Sequence, residues 1–312
     1  MSLSLAPRCA GVPQGTARAS RTDNLTRVEQ ESDAGPVIDA DAAVDAGVPA
    51  EAGIPAEADG PRRGGRRPRR MWLQAGSSTA RWGWEIVGWG VTALGAGVLA
   101  ASTGPRLIGG PVGGWVGTAA LWVLLMVPTV FAFARSVPRG LLRFRATDLL
   151  FGLVFGLALR VVAGWLEAAA SGVASWPSLP TVDGRIPASV WFGEVVVPIV
   201  VSPVIEEVFF HGVLLVALYT AFRRMTRTAW VAGAGAALVS TGLFVLLHQF
   251  AGSLSSTWDG AVTIALVGLT GAVLVLVTGR LWGAVLTHIV FNATGVGLAL
   301  VGTLLGGGAG LS

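Results

Sequence analysis

The chain alternates long apolar stretches with short polar segments, and this pattern begins near Trp82. A helix needs about 20 consecutive apolar residues to cross the hydrocarbon core of a bilayer. The pattern therefore predicts an all-α fold, a polytopic transmembrane helical bundle with about seven spans, within a range of six to eight. The predicted spans are 82–101, 115–134, 147–170, 198–222, 229–250, 261–278 and 281–305.

Residues 187–197, which precede the fourth predicted span, allow two interpretations. They are apolar enough to extend that span towards the N-terminus. Pro198 and Pro203 also allow a break, because proline interrupts helical hydrogen bonding. In that case residues 187–197 form a short interfacial helix.

The first 70 residues differ in composition from the rest of the chain. Residues 1–60 hold ten of the 18 acidic residues, and six arginines follow between Arg62 and Arg70. This segment lacks apolar periodicity, so it cannot bury enough surface to offset the entropy lost on ordering. Residues 1–70 are predicted to be a disordered tail and residues 71–312 the transmembrane domain, with Met71 as an alternative start of the protein.

Composition and charge narrow the class of protein. A mean hydropathy of +0.66 with 13% charged residues excludes an ordinary soluble domain, in which about 25% of residues are charged. Cys9 is the only cysteine, so an internal disulfide and a cysteine metal site are excluded. A basic block beside a span is typical of contact with anionic lipid, so we expect membrane lipids and no nucleic acid as partners.

The arginines predict the orientation of the bundle. With a cytoplasmic N-terminus, 15 arginines from Arg62 onward fall on the cytoplasmic side, and only Arg106 and Arg185 fall on the other. Such an excess of arginine is what the positive-inside rule describes. The sequence therefore predicts a multi-pass protein of the cell membrane with its N-terminus in the cytoplasm.

A few ionisable residues lie within the apolar stretches. Charged groups in hydrocarbon are costly, so each is a candidate for function. Glu206 and Glu207 are adjacent, and His211 follows Glu207 by one helical turn. His248 ends one apolar run and His288 begins another. All three histidines of the protein therefore lie in the last four predicted spans.

These residues fit two kinds of chemistry. A carboxylate at low dielectric can act as a general base, with histidine and Asn292 binding the water or stabilising an oxyanion. The same glutamates and histidines also suit a divalent metal such as zinc with one open position. A purely structural role is the third interpretation, because polar side chains also bond neighbouring helices. It is disfavoured here because each polar group adds an insertion cost.

Three motifs occur in order, each in its own apolar stretch. They are Glu206-Glu207-Val-Phe-Phe-His211, Phe244-Val-Leu-Leu-His248 and His288-Ile-Val-Phe-Asn292. The ordered set resembles the CAAX-protease and bacteriocin-processing (CPBP, or Abi) family of intramembrane proteases over residues 190–300. This resemblance implies a helical-bundle endopeptidase that acts on a membrane-associated peptide or protein.

The resemblance also implies a role for each motif residue. Glu206 would activate a water with help from His248, while His288 and Asn292 stabilise the oxyanion and Glu207 is a supporting carboxylate. The family is often called a metalloprotease family, and a metal-free glutamate mechanism is the competing view. If a divalent metal such as zinc binds, the candidate ligands are Glu207, His211, His248 and His288.

His211 departs from the family pattern, which usually has arginine at this position. Histidine is charged only when protonated, whereas arginine is always charged. Two consequences are open: a more pH-sensitive site, or a further metal ligand beside Glu207.

Two other classes of function are compatible with the sequence. One is a catalytically inactive immunity or scaffold protein of the same fold, and the other is an ion-coupled transporter, since proton relays also use intramembrane Glu and His. The sequence selects neither a prenylated nor an unmodified substrate, and no oligomeric state.

The predicted spans and the motifs conflict in depth. Glu206 and His248 fall towards the outer half of the bilayer, while His288 falls about 10 Å from the inner face at 1.5 Å per residue. They can meet if the sixth span is tilted or re-entrant and the Thr278–Gly279 break lies inside the protein. A span count that is off by one is the alternative.

Overall fold

The computed structural model describes residues 79–172, 177–251 and 257–308, and the predictions for residues 1–70 lie outside these ranges. Seven of the described helices are long and apolar enough to cross a membrane, which confirms the predicted all-α, polytopic bundle. They are α1 (Trp84–Ile108), α2 (Gly110–Arg135), α3 (Ala146–Ser171), α4 (Ala188–Met225), α5 (Ala229–Ala251), α6 (Trp258–Thr278) and α7 (Trp282–Gly308).

The first helix is longer than the predicted span 82–101. Helix α1 runs through Pro105 to Ile108, and only Gly109 separates it from α2. Gly109 has a φ of 77°, which glycine adopts without a steric penalty. The two helices then pack very closely, since a Cβ on Gly113 would lie 2.7 Å from the carbonyl oxygen of Gly104. The chain therefore reverses direction at Gly109 and Gly110, between helices that both extend into the gap left by the predicted spans.

Residues 187–197 extend the fourth span, as the first of the two interpretations stated. Helix α4 begins at Ala188 and contains two wide, π-helical segments, Trp191–Val201 and Val208–Leu214. Every residue from Phe209 to Tyr219 is buried. The second half of α4 is thus apolar on all sides and lies in the core of the domain.

Helices α3 and α7 run side by side in the same direction. Gly152 packs against Leu286, and a Cβ on Gly156 would lie 2.7 Å from the Cβ of Val290. Small residues one helical turn apart allow this close approach of two helices. The contact brings the next turn of α3 against the middle of α7.

The turn between α6 and α7 lies inside the protein. Arg280 forms an ion pair with the fully buried Asp148 at the start of α3, with 2.7 Å between Nη2 and Oδ1. The backbone N–H of Leu281 donates to the carbonyl of Leu141 at 2.9 Å. Gly279 and Leu281 are buried. Of the two resolutions of the depth conflict, the described helices therefore match the one with seven spans and an internal Thr278–Gly279 break.

Candidate active site

Glu207 is the centre of a buried hydrogen-bonded cluster between α4, α6 and α7. Its Oε2 lies 2.7 Å from Nδ1 of His211, and its Oε1 lies 3.0 Å from Nδ1 of His288. The Nε2 of His211 lies 2.9 Å from the carbonyl oxygen of Gly268. Glu207 is 1% exposed and His211 is fully buried. Both oxygens of this carboxylate are thus engaged in contacts with histidine.

Both ring nitrogens of His211 are in use. A carbonyl only accepts, so Nε2 carries a hydrogen and donates it to Gly268, and the remaining proton lies in the short contact between Nδ1 and Glu207. A Cβ on Gly271 would lie 2.9 Å from Cε1 of His211, so the glycine makes room for the ring. His211 thus partners the carboxylate from the position where the family usually has arginine.

Glu206 has the opposite environment. Its Oε2 is buried without a hydrogen-bond partner among the described residues and lies 3.5 Å from Nε2 of His248. The Nδ1 of His248 is 2.9 Å from the carbonyl oxygen of Phe244 and donates to it. In the neutral ring, Nε2 then carries a lone pair on the side of Glu206. Two acceptors converge here, and a donor such as water would satisfy both.

The side chain of Asn292 is held in place by a backbone carbonyl of α4 that has no helical donor. Its Nδ2 donates to the carbonyl oxygen of Pro198 at 2.7 Å. In the π-helical turn the N–H of Ser202 donates to Val197, five residues back. The next residue, Pro203, has no N–H, so the Pro198 carbonyl lacks its helical donor. The side chain of Asn292 takes that place and keeps its second N–H available.

Sequence reasoning missed this role of the two prolines. The signal is their separation of five residues, which is the hydrogen-bond spacing of a π-helix. Only a possible helix break was considered for the two prolines, as one of two interpretations. They instead leave one carbonyl free inside an unbroken helix.

Four of the predicted residues line one cavity of about 450 Å³, namely Glu206, His248, His288 and Asn292. Glu207 and His211 lie outside this lining. Arg160 of α3, which is not part of the three motifs, also lines the cavity. A larger hollow of about 680 Å³ lies against α5 and α6, but its lining is apolar apart from Tyr219 and contains none of the motif residues.

The four candidate metal ligands do not converge on one point. His211 and His288 each direct a ring nitrogen at Glu207, whereas His248 faces Glu206. Within the described ranges, no group of three or more His, Cys, Asp or Glu side chains is arranged to hold a metal ion. The arrangement of these side chains does not fit a shared metal, so no step below passes through one. Metal dependence stays a prediction.

The fold and the cavity define a multi-pass membrane protein with a buried glutamate, histidine and asparagine site. Residues 188–294, about one third of the chain, match the family model described as "Rce1-like: Type II CAAX prenyl endopeptidase Rce1-like". This match confirms the predicted resemblance over residues 188–294 and is consistent with the CPBP family. No curated protein and no solved structure matches the chain significantly.

Proposed function

We propose that the protein is an intramembrane endopeptidase in which Glu206 activates a water molecule. One observation carries this proposal: Oε2 of Glu206 is buried and unpartnered, 3.5 Å from Nε2 of His248, at the wall of a cavity. Buried polar atoms almost always have a hydrogen-bond partner, so we expect Oε2 of Glu206 to have a partner that is not a protein side chain. A water held by Glu206 and His248 supplies it and lies where a peptide in the cavity can be attacked.

The proposed reaction is hydrolysis of a peptide bond. Glu206 removes a proton from the water as its oxygen bonds to the carbonyl carbon of the substrate. The negative charge that develops on the carbonyl oxygen is stabilised by the second N–H of Asn292 and by His288. The C–N bond then breaks, and protonated Glu206 passes its proton to the leaving amine. The products are a carboxylic acid and an amine.

The Glu207 cluster supports this chemistry by orienting His288. The hydrogen bond from Nδ1 to Glu207 fixes the imidazole ring, and Nε2 has no hydrogen bond to any described residue. When the ring is protonated, Nε2 presents an N–H to the cavity that His288 lines. Glu207 and His211 act on the reaction through this ring.

The proposed substrate is a membrane-associated peptide or protein. Apolar side chains make up most of the cavity lining, including Leu121, Phe244 and Ile264, which suits an apolar peptide segment. The matched family acts on CAAX prenyl proteins according to its description, so a lipid-modified substrate is one form to test. The arginine distribution supports a location in the cell membrane with a cytoplasmic N-terminus.

Replacement of the proposed base tests the function. In reconstituted proteoliposomes, cleavage of a library of apolar peptides, with and without prenylation, should fall by about 10²–10⁴-fold in Glu206→Gln, the range for loss of a general base. Mass spectrometry of the products gives both the rate and the cleaved bond. The matched control is Glu167→Gln, which removes an exposed glutamate of α3 outside the cavity lining.

Cleavage by Glu206→Gln at the wild-type rate would contradict the assignment of the base. Absence of any Glu206-dependent cleavage would contradict the protease and favour a scaffold or a transporter. The same assay after chelation, together with metal analysis of the purified protein, tests metal assistance separately.

A further inference from the structure

Arg160 brings a positive charge into the cavity that contains the proposed base. It projects from α3, one helical turn after Gly156, and is the only arginine in the described lining of the cavity. The motif residues all come from α4, α5 and α7, so Arg160 adds a contribution from a helix outside the matched region. An intramembrane cation is costly and marks a function unless a structural partner explains it.

The guanidinium group lies against α7 in a seat formed by Phe291 and Gly295. Its Nη2 donates to the carbonyl oxygen of Phe291 at 2.7 Å, and its Cζ lies 4.0 Å from the centroid of the Phe291 ring. A Cβ on residue 295 would lie 2.5 Å from Nη2, so only glycine leaves this space open. Contacts with a carbonyl and a ring position the guanidinium without neutralising it.

No carboxylate pairs with Arg160 in the described part of the chain. Glu194 lines the same cavity, and Glu167 lies seven residues further along α3, but neither forms an ion pair with Arg160 within 4.0 Å. The Nε of Arg160 is buried and has no hydrogen-bond partner. The guanidinium has five N–H donors in a fork that matches a carboxylate. The guanidinium is thus held in place by one hydrogen bond, and its other N–H donors can bind a ligand.

We propose that Arg160 is a specificity-determining residue that binds a carboxylate of the peptide substrate. This inference rests on the proposed function of the cavity and deepens it. Phe291 and Gly295 follow His288 by three and seven residues on α7, so the guanidinium lies about 5–10 Å beyond His288 along the helix. An extended peptide covers that distance in about two to three residues. The carboxylate belongs either to the end of the substrate chain or to an acidic side chain near the cleaved bond.

Peptide binding tests the proposal without turnover. The full chain carrying Glu206→Gln is purified in detergent, and the Kd is measured by fluorescence for three dansyl-labelled tetrapeptides of alanine and leucine. The first has a free C-terminal carboxylate, the second a C-terminal amide, and the third an amide with glutamate as its last residue. We expect the free acid to bind at least about tenfold more tightly than the plain amide, as for a hydrogen bond to a charged group.

Variants of the seat assign that preference to Arg160. We expect Arg160→Gln to bind acid and amide equally, Arg160→Lys to keep part of the preference, and Gly295→Ala to weaken it by displacing the guanidinium. The control Arg106→Gln, at an exposed arginine of α1 outside the cavity lining, should keep the full preference. If the glutamate amide binds as tightly as the free acid, the site accepts a side-chain carboxylate. If it binds as weakly as the plain amide, the site recognises only the C-terminal carboxylate.

Two results would overturn the proposal. One is equal binding of acid and amide by the parent protein, and the other is a preference that survives in Arg160→Gln. Because binding is measured in Glu206→Gln, neither result depends on whether Glu206 is the catalytic base. Failure of the carboxylate site is therefore separate from failure of the protease assignment.

Discussion

Two adjacent glutamates acquire different roles because neighbouring residues of a helix point about 100° apart. Glu207 faces α6 and α7, where both of its oxygens contact histidine. Glu206 faces the cavity, where Oε2 has no partner among the described residues. The same side chain is thus a positioning group at one position and the proposed base at the next. The difference comes from the surrounding helices and not from the glutamates themselves.

The buried pair of Glu207 and His211 gives a prediction about stability. In His211→Leu the carboxylate loses a buried partner, and we expect the free energy of unfolding to fall by about 3–5 kcal/mol. Adding Glu207→Leu removes the uncompensated polar group as well, so the double variant should recover much of that loss. Unfolding in mixed micelles measures both variants. Peptide cleavage should be weak in the double variant, because His288 loses its partner Glu207 there.

A double variant that is no more stable than His211→Leu would contradict this account of the pair. The glycine at 271, which makes room for the imidazole ring, is unchanged in both variants. Any difference between them therefore reports the loss of the carboxylate together with its contact to His288.

Among the elements, α4 determines the geometry of the site through its wide turns. The π-helical segment Trp191–Val201 ends just before Pro203, and together they free the carbonyl of Pro198 for Asn292. The second segment, Val208–Leu214, contains Phe210, whose carbonyl accepts the hydroxyl of Ser240 on α5 at 3.0 Å. The two carbonyls differ, because the Phe210 carbonyl also accepts the helical N–H of Leu215, whereas the Pro198 carbonyl has Asn292 in place of a helical donor.

Replacement of Pro203 tests this explanation. Pro203→Ala restores a backbone N–H that can donate to Pro198 and compete with Asn292. We expect the protein to stay as stable as wild type or to become more stable, while kcat for peptide cleavage falls at least about tenfold, in the direction of the larger loss expected for Asn292→Ala. Thermal unfolding and single-turnover cleavage give the two quantities.

The matched control for this test is Pro198→Ala. It also removes a proline from α4, but it keeps Pro203 and so leaves the carbonyl at 198 without a helical donor. We expect this variant to retain its kcat. Equal losses in both variants would show that helix stiffness, and not the bond to Asn292, governs the activity.

Hydropathy predicted which segments form helices better than where those helices end. Helix α5 ends at Ala251 against a prediction of 250, because a polar segment follows an apolar run there. Helix α1 continues past its predicted end, because the helix includes Pro105 and the chain reverses only at Gly109 and Gly110. Length and hydropathy describe each span alone, while such ends depend on how two helices pack.

The candidate site was predicted in part for a similar reason. The motifs identified Glu206, His248, His288 and Asn292, which the structure brings to one cavity. Motifs do not describe how a helix is rotated, so the separate environments of the two glutamates were not predicted. The seat of Arg160 depends on Gly295, 135 positions along the chain, and such a contact has no local signal in the sequence.

For the whole molecule, the depth conflict arose from the assumption that every span has the same length. Helix α4 has 38 residues and is about 57 Å long, well beyond the hydrocarbon thickness of about 30 Å. The start of α7 is buried beside α3 and the 136–145 loop, so α7 does not begin at the surface of the domain. The middle of a long helix can therefore meet the first turns of a helix that starts inside the protein.

Seven spans and the arginine distribution together predict on which side of the membrane each terminus lies. Cys9 is the only cysteine of the chain, so a membrane-impermeant maleimide reports the N-terminal side without any engineered label. In intact bacterial spheroplasts we expect no labelling of the wild type, and labelling after permeabilisation. In Cys9→Ser with Ser312→Cys we expect labelling without permeabilisation, because an odd number of spans places the two ends on opposite sides.

Labelling of Cys9 in intact spheroplasts would contradict the predicted orientation, and identical behaviour of the wild type and the double variant would contradict seven spans. A cysteine-containing cytoplasmic protein in the same spheroplasts controls for membrane integrity. The result also bears on the site, because a cytoplasmic N-terminus makes α5 run outward. His248 lies three residues before its end at Ala251, so Glu206 and the proposed water would then lie nearer the outer surface. The orientation of the chain thus determines from which side a peptide has the shorter path to the proposed base.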